Sequence, residues 1–281
     1  MATPLAHQQD WAGKDVRIAD VERALCELRE ASAHETEGPD LRTSVMTHIA
    51  WVPQEWQEAA LETLEGLAER HPSRAILLFP APEEPDGLDA RAVVLAYALR
   101  GARRHIAAEV VELTLRGNRR RVPASIVEPL LVPGLPVFVR WRGRPPFGGQ
   151  ELEQLVELAD RLVVDSAEWP DVPDAYAELA RLFERVACSD IAWRRTFAVR
   201  RAIAARWPGI AEVEELHVTA RPAEVALLRG WLRSRLGGEV DVVAAENADL
   251  RVGEESASEL LSGELDQLAR DPVYEAAVLA T

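Results

Sequence analysis

A loop rich in arginine, glycine and proline, RGRPPFGG at residues 142–149, is a candidate for binding a small ligand. It follows a predicted strand and leads into a predicted helix, whose first backbone N–H groups have no partner in the helix and can bind an anion. Arg142 and Arg144 supply positive charge near this helix start, and Gly148 and Gly149 close the loop. The alternative is a solvated crossover loop that needs glycine and proline only for its turn.

A second candidate is the pair Asp165 and Ser166, which follows a predicted strand directly. Ligands of α/β proteins usually bind at the carboxyl ends of the strands. A serine nucleophile requires a histidine base, and no histidine is close to Ser166 in the sequence. The alternative is that Asp165 or Ser166 caps the following turn through its side chain.

Arginines crowd the segment that begins after Asp190. This segment contains Trp193, Arg194, Arg195 and Arg200. Tryptophan and arginine dominate the binding energy of many protein interfaces, so the segment is a candidate docking patch for another protein. On a helix, Arg194 and Arg195 belong to different faces, and we expect one group of arginines to be exposed. The alternative is intramolecular, with Trp193 in the core and the arginines paired with the abundant acids.

The sequence lacks the motifs of several large enzyme classes. It contains no G-x-G-x-x-G run, no P-loop pattern and no G-x-S-x-G nucleophile elbow. The six histidines are scattered, with no H-x-x-x-H pair and none beside a cysteine, which argues against a transition-metal site. We therefore expect no catalytic residues, no bound metal and no cofactor.

Composition and charge narrow the class of protein further. The 281 residues are 48% apolar and 28% charged, which indicates a folded protein with one large or two modest domains. The formal net charge of −15 argues against a general nucleic-acid binder and against docking on an anionic membrane. Cys26 and Cys188 are too few for a disulfide framework, and the longest apolar run is too short to cross a membrane. We expect a cytoplasmic protein with reduced thiols.

The order of the predicted elements indicates an α/β fold with two βα-rich halves, in which mixed sheets are covered by helices. RAILLF at residues 74–79 is a predicted buried strand, and Leu135–Trp141 is another. WPDVPD at residues 169–174 interrupts this pattern, because its prolines cannot continue a helix or a central strand. We therefore predict an N-terminal α/β domain over residues 1–170 and a C-terminal α/β domain over residues 171–281.

Several local patterns make narrower predictions. Gly117 and Asn118 are typical of a hairpin turn, with a strand over residues 119–122. Ile191–Thr196 is a possible strand, and Asp174 is predicted to cap a helix. Leu88–Leu99 is compatible with either a helix or a strand.

Five segments carry a resemblance to a known protein family. They occur in the same order as in that family, the glucose-6-phosphate dehydrogenase assembly protein OpcA family, and extend over nearly the whole chain. The PLL-x-x-x-LPV-x-x-x-W string followed by DR-x-x-x-DS is the most specific part. The five segments are PSRAIL (72–77), SIVEPLLVPGLPVFVRW (125–141), ADRLVVDS (159–166), DIAWRRTFAVR (190–200) and GELDQLARDPVYEAAV (263–278).

The resemblance implies a bacterial protein without catalytic activity. Members of this family bind glucose-6-phosphate dehydrogenase and activate it allosterically, so the implied role is in the oxidative pentose phosphate pathway. The partner would contact Trp193, Arg194, Arg195 and Arg200, or the loop at residues 142–149. Cyanobacterial members are linked to thioredoxin control through cysteines that Cys26 and Cys188 do not clearly match.

A function of a different class is an alternative to this one. The loops at residues 142–149 and 165–166 would bind a sugar phosphate or a nucleotide, and the chain would then be a metabolite sensor or an enzyme. Both functions are compatible if the activator itself senses a metabolite.

Overall fold

The computed structural model describes most of the chain, namely residues 5–35, 44–67, 70–98, 105–238 and 240–281. The chain forms two compact units. The first comprises residues 1–142 and 148–160, and the second comprises residues 143–147 and 161–281.

The first unit combines strands and helices in alternation. Its strands are β1 (Leu5–Gly13), β2 (Thr47–Trp51), β3 (Arg74–Ala81), β4 (Gly87–Ala98), β5 (His105–Arg116) and β6 (Val137–Trp141). Its helices are α1 (Ile18–Glu35), α2 (Gln57–Leu67), α3 (Pro123–Val127) and α4 (Gln150–Leu158). These six strands lie in the order β1-β4-β5-β3-β2-β6.

The sheet of the first unit is mixed. Strand β2 runs parallel to β3 and β6, and β3 runs parallel to β5, whereas β4 is antiparallel to both β5 and β1. Every residue from Arg74 to Phe79 in β3 is buried, as expected for a parallel strand covered on both faces. The charge of Arg74 is matched across the ladder by Glu109 on β5, at 2.6 Å. The prediction of a buried strand here is confirmed.

The second unit also alternates strands with helices. Its strands are β7 (Arg161–Val164), β8 (Ala187–Asp190), β9 (Glu215–Thr219), β10 (Asp241–Ala244) and β11 (Leu250–Arg251). Its helices are α5 (Val172–Ala180), α6 (Ile191–Arg195), α7 (Phe197–Ala204), α8 (Pro222–Leu236), α9 (Ala257–Leu265) and α10 (Pro272–Leu279). Strand β7 pairs in parallel with β8, and β9 lies between β10 and β11 in a parallel three-stranded sheet. The predicted α/β class, with mixed sheets and covering helices, is confirmed.

Two predicted strands are instead helical. Residues Gly117–Arg121 form a 3-10 helix that leads into α3, because both sides of β5 are already paired and a returning strand has no place beside it. Residues Ile191–Arg195 form α6, because the Asp190 side chain accepts the backbone N–H of Ala192 and so starts a helix there.

Two further local predictions have different outcomes: the segment that was left open is a strand, and the predicted helix cap is wrong. The segment left open as a helix or a strand is strand β4, which ends at Ala98; Leu99 lies outside the described residues. Helix α5 begins at Val172 with Asp171 in the N-cap position, so Asp174 lies inside the first turn and is not the cap.

The compact units divide the chain between Asp160 and Arg161, with residues 143–147 assigned to the second unit. The predicted boundary at residue 170 concerns domains that fold independently, and it stays a prediction.

A glycine controls the packing of helices α8 and α10 in the second unit. A Cβ atom on Gly230 would lie 2.2 Å from the backbone oxygen of Ala277. In most helices a change from glycine to alanine is stabilising by about 1 kcal/mol. Here the backbone atom cannot move aside, so the two helices must separate.

We therefore expect Gly230→Ala to lower the free energy of unfolding by about 1–3 kcal/mol, the usual effect of overpacking. The matched control is Gly253→Ala, because nothing lies within 4 Å of a Cβ at that exposed position. The control should change stability by less than about 0.5 kcal/mol. Chemical denaturation measures both, and equal stability of the two variants would contradict the close approach.

Candidate functional site

A charged pocket in the second unit is the main candidate for a functional site. Its volume is about 340 Å³, and it is lined by residues of β7, β8, α6, α7, α9 and α10. Three arginines, Arg161, Arg194 and Arg200, line it together with Glu264 and Asp271. Two of these arginines, Arg194 and Arg200, belong to the predicted docking segment.

The Trp193 ring and the Arg200 guanidinium form one wall of this pocket. The Arg200 guanidinium carbon lies 3.4 Å from the Trp193 ring centroid, which is a cation–π contact. The Trp193 indole N–H donates to Asp271 at 3.0 Å, and Arg200 donates to the Thr196 hydroxyl at 3.0 Å. Trp193 is therefore a buried wall of the pocket, and its ring is not presented to solvent.

The Glu264 carboxylate lies between two arginines on another wall. It is 3.6 Å from Arg194 and 4.0 Å from Arg161, so both ion pairs are longer than a hydrogen bond. Burial raises the pKa of Glu264, although Ser189 and these arginines act in the opposite direction. A Cβ atom on Gly263 would overlap the Arg194 guanidinium, so the glycine leaves the space that Arg194 occupies.

Arg195 points away from this pocket into a buried ion-pair network. It donates to both carboxylate oxygens of Asp165, one of them at 3.0 Å, and its other partner is Glu224 on α8 at 3.4 Å. Burial acts to lower the pKa of Arg195, but the hydrogen bonds that it donates to Asp165 and the charges of Asp165 and Glu224 outweigh it, and the pKa is raised. Arg195 is thus a permanently charged structural cation.

Asp165 and Ser166 are both engaged inside the protein. Asp165 accepts the backbone N–H of Ala167 at 3.2 Å, which confirms that it caps the turn after β7. The Ser166 hydroxyl is 2.7 Å from the Tyr176 hydroxyl, and both are buried. The second unit contains one histidine, His217, which pairs with Glu215 on β9 at 2.5 Å. The described contacts therefore give Ser166 a tyrosine partner, and no histidine base.

Asp190 lies in this network and carries a strongly shifted carboxyl group. Its Oδ1 accepts the backbone N–H groups of Ser166 and Ala192, at 3.0 and 2.9 Å. Complete burial, and next the negative charge of Asp165, raise the pKa of Asp190 to about 7. The Asp190 carboxyl is therefore protonated in the folded protein at mildly acidic pH, whereas in the unfolded chain it is ionised.

The residues of the loop at 142–149 are divided between the two units. In the first unit, Arg142 lies 4.6 Å above the Trp56 ring, and Gly149 is the N-cap residue of α4 after Gly148, whose φ is +74°. In the second unit, Arg144 pairs with Asp171 at 3.0 Å. Each of the two arginines has a partner within its own unit, and the predicted anion site in this loop stays a prediction.

The structure also reveals two exposed aromatic side chains, at the start of α7 and beyond its end, that sequence reasoning missed. Phe197 at the start of α7 and Trp207 beyond its end are 56% and 65% exposed, and Arg201 is exposed on α7. The Arg201 guanidinium lies 5.8 Å from the Phe197 ring. Because the buried face of α7 holds Val199 and Ile203, helical periodicity alone would have placed Phe197 off that face.

Two further structural findings concern the described residues only. Across those ranges, no group of three or more His, Cys, Asp or Glu side chains is arranged to hold a metal ion. Likewise, no helix within them is both long and apolar enough to cross a membrane.

The shifted pKa of Asp190 makes stability depend on pH. Between the unfolded pKa of 3.8 and the folded pKa of about 7, the folded state holds a proton that the unfolded state has lost. The unfolding free energy contributed by this group therefore falls as pH rises through that window, and levels off above it. Asp190→Asn cannot titrate at this position. As the pH rises from 5 to 8, the unfolding free energy of this variant should therefore fall by on the order of 1–3 kcal/mol less than that of the wild type.

Thermal or urea unfolding of both proteins at several pH values measures this difference. Groups that titrate alike in the two proteins contribute equally to both stability profiles and drop out of the comparison. The control is Asp174→Asn, since Asp174 is exposed on α5 and should leave the slope unchanged. Parallel stability profiles for wild type and Asp190→Asn would show that Asp190 titrates normally.

Comparison with known proteins gives matches to a single family. Residues 65–182 match the OpcA family model, whose description is glucose-6-phosphate dehydrogenase subunit N-terminal domain. The curated relatives are cyanobacterial and carry the name "Putative OxPP cycle protein OpcA". The matched region includes β7 and α5 and ends before β8.

The similarity to these relatives is moderate. The chain is 27% identical to the Nostoc punctiforme protein over 185 residues, which cover 61% of this chain and 39% of the relative. It is 28% identical to the Synechococcus elongatus protein over 184 residues, covering 61% and 41%. The matched part thus spans about two fifths of the length of these curated relatives. Together these matches confirm the resemblance predicted from the sequence: the matched region of this chain is similar to the OpcA family.

Proposed function

We propose that this chain is a non-enzymatic assembly factor and allosteric activator of glucose-6-phosphate dehydrogenase, acting on the oxidative pentose phosphate pathway. The observation that carries the proposal is the match of residues 65–182 to a family described as a subunit of that dehydrogenase. The names of the relatives, which refer to the same pathway, support it.

The state of the nucleophile candidates supports a role without catalysis. Ser166 is hydrogen-bonded to Tyr176, and Asp165 is committed to Arg195. Burial raises the pKa of the Cys188 thiol to about 12, so it is not a thiolate at neutral pH. These groups have structural partners or are protonated, which suits a protein that acts through binding.

The exposed surface made by Phe197, Arg201 and Trp207, here called the α7 surface, is the proposed docking site for the dehydrogenase. It combines two aromatic side chains with an arginine, the residue types that most often anchor protein interfaces. It overlaps the predicted docking segment, since Phe197 lies between Arg195 and Arg200 in the sequence. Arg200 reaches it from the pocket side, since its guanidinium also lies 5.8 Å from the Phe197 ring.

Activation requires that the chain bind the active form of the dehydrogenase more tightly than the inactive form. A typical allosteric coupling of 1–3 kcal/mol corresponds to a change of about 5–150-fold in affinity. By linkage, any ligand that favours the active form of the enzyme must also tighten the binding of this chain.

The first test is co-elution of the full chain with the dehydrogenase of the same organism, together with enzyme rates measured with and without it. We expect a stable complex and a higher rate at limiting substrate. Absence of both a complex and a rate change would overturn the proposed function.

The second test locates the docking site. Phe197→Ser combined with Trp207→Ser should weaken the complex tenfold or more, because it removes two exposed anchors and leaves the core untouched. The matched control is Leu279→Ser on α10, since Leu279 is 71% exposed. If the double variant binds as tightly as this control, docking occurs on another surface.

A further inference from the structure

The pocket in the second unit contains a buried arginine that has few close hydrogen-bond and ion-pair partners. Arg161 lines the pocket and is completely buried. One of its terminal nitrogens donates to the backbone oxygen of Ala269, but its Nε has no hydrogen-bond partner among the described residues. A buried cation is costly unless its donors are satisfied and an anion lies close. Its nearest carboxylate, Glu264, is 4.0 Å away.

A second arginine is held at the pocket by the absence of a side chain. Arg194 shares Glu264 with Arg161 at 3.6 Å, so one carboxylate serves two guanidiniums without a direct hydrogen bond to either. Gly263 provides the space for the Arg194 guanidinium, which any Cβ at that position would displace. The arrangement leaves donors of both arginines available.

A third arginine, Arg200, has no carboxylate within 4 Å in the described part of the chain. Its contacts are the Trp193 ring, the Thr196 hydroxyl and the Trp193 backbone oxygen. Burial lowers the pKa of Arg200 to about 10, which still leaves it charged at neutral pH. It therefore adds a positive charge to the pocket, and the charges of Asp271 and Glu264 act on it without a direct ion pair.

Among the described residues, neither of the two other acids of the pocket forms an ion pair within 4 Å with these arginines, although the charge of Asp271 acts on Arg161 and Arg200. Asp271 accepts the Trp193 indole N–H and the backbone N–H groups of Val273 and Tyr274, so both of its oxygens are occupied. Glu255 is exposed, and water and salt screen its charge. The donors of Arg161 and Arg194 are therefore not taken up by a carboxylate at hydrogen-bond distance.

We propose that this pocket binds a small organic phosphate monoester, with its phosphate held by Arg161, Arg194 and Arg200 and its carbon skeleton against Phe197. A phosphate monoester carries nearly two negative charges at pH 7 and offers acceptor oxygens to the arginine donors that have no carboxylate at hydrogen-bond distance. Arginine forks bind phosphate oxygens through paired hydrogen bonds.

The size and lining of the pocket favour an organic molecule over a bare ion. About 340 Å³ exceeds the space that an inorganic phosphate fills and lies within the range of metabolite pockets. Phe197, half exposed at the rim, offers an apolar surface beside the three cations. This inference concerns the isolated chain and does not rest on the proposed function.

Calorimetry and thermal unfolding of the full chain test the inference with three probes: a hexose phosphate, the same hexose without phosphate, and inorganic phosphate. We expect the hexose phosphate to bind and raise the melting temperature, because a ligand of the folded state stabilises it by mass action. The free hexose should not bind, and inorganic phosphate should bind at least tenfold more weakly. Equal affinity for phosphate and hexose phosphate would mean an adventitious ion only, and no binding of the hexose phosphate would overturn the proposal.

Variants locate the site within the same experiment. Arg200→Met and Arg194→Met should each weaken hexose phosphate binding tenfold or more, and two variants guard against one that fails to fold. Gly263→Ala should act similarly by displacing the Arg194 guanidinium. The control is Arg181→Met, since Arg181 is exposed on the surface and pairs with Glu178 one turn earlier. If these three pocket variants bind like Arg181→Met, the phosphate binds elsewhere and the assignment is wrong.

Discussion

The second unit depends on the paired hydrogen bonds between Arg195 and Asp165. They join α6 to the end of β7, and the additional contact with Glu224 adds α8. All three side chains are largely buried, so removing one partner would leave an unpaired charge, at a cost of about 3–5 kcal/mol. Because Arg195 faces two carboxylates, the cluster carries a net negative charge. That charge adds to burial in raising the pKa of Asp190, which lies next to it.

The Arg195–Asp165 pair also explains why Arg194 lies at the pocket. Consecutive residues on a helix point about 100° apart, so Arg194 and Arg195 cannot serve the same site. Arg195 is drawn inward by Asp165, and Arg194 is left to the pocket beside Glu264. The two neighbouring arginines therefore have separate roles, one within the core of the unit and one at a cavity.

Much of the fold follows from local sequence patterns. Asp165 caps its turn, Ser256 and Glu259 form a capping box, and Gly237 ends α8 with a positive φ of 64°, all as their residue types predict. The strand predicted at residues 119–122 is wrong, since whether β5 has a free side depends on strand order and not on local residues. The strand predicted at Ile191–Thr196 is wrong because a single aspartate cap outweighed the β-branched and aromatic residues after it.

The candidate site was only partly visible in the sequence. The cluster of Trp193 with its arginines was recognised, but its division into a buried network and a pocket depends on residues far along the chain. Arg161, Glu264 and Asp271 were quoted only inside motifs, because nothing local distinguishes them from ordinary surface charges. Long-range packing brings them together.

Asp271 has two tasks that connect the pocket to local folding. One of its oxygens caps the first turn of α10, and the other holds the Trp193 indole. Because one side chain makes both contacts, we expect the pocket wall and the start of α10 to open together, with similar protection against hydrogen exchange.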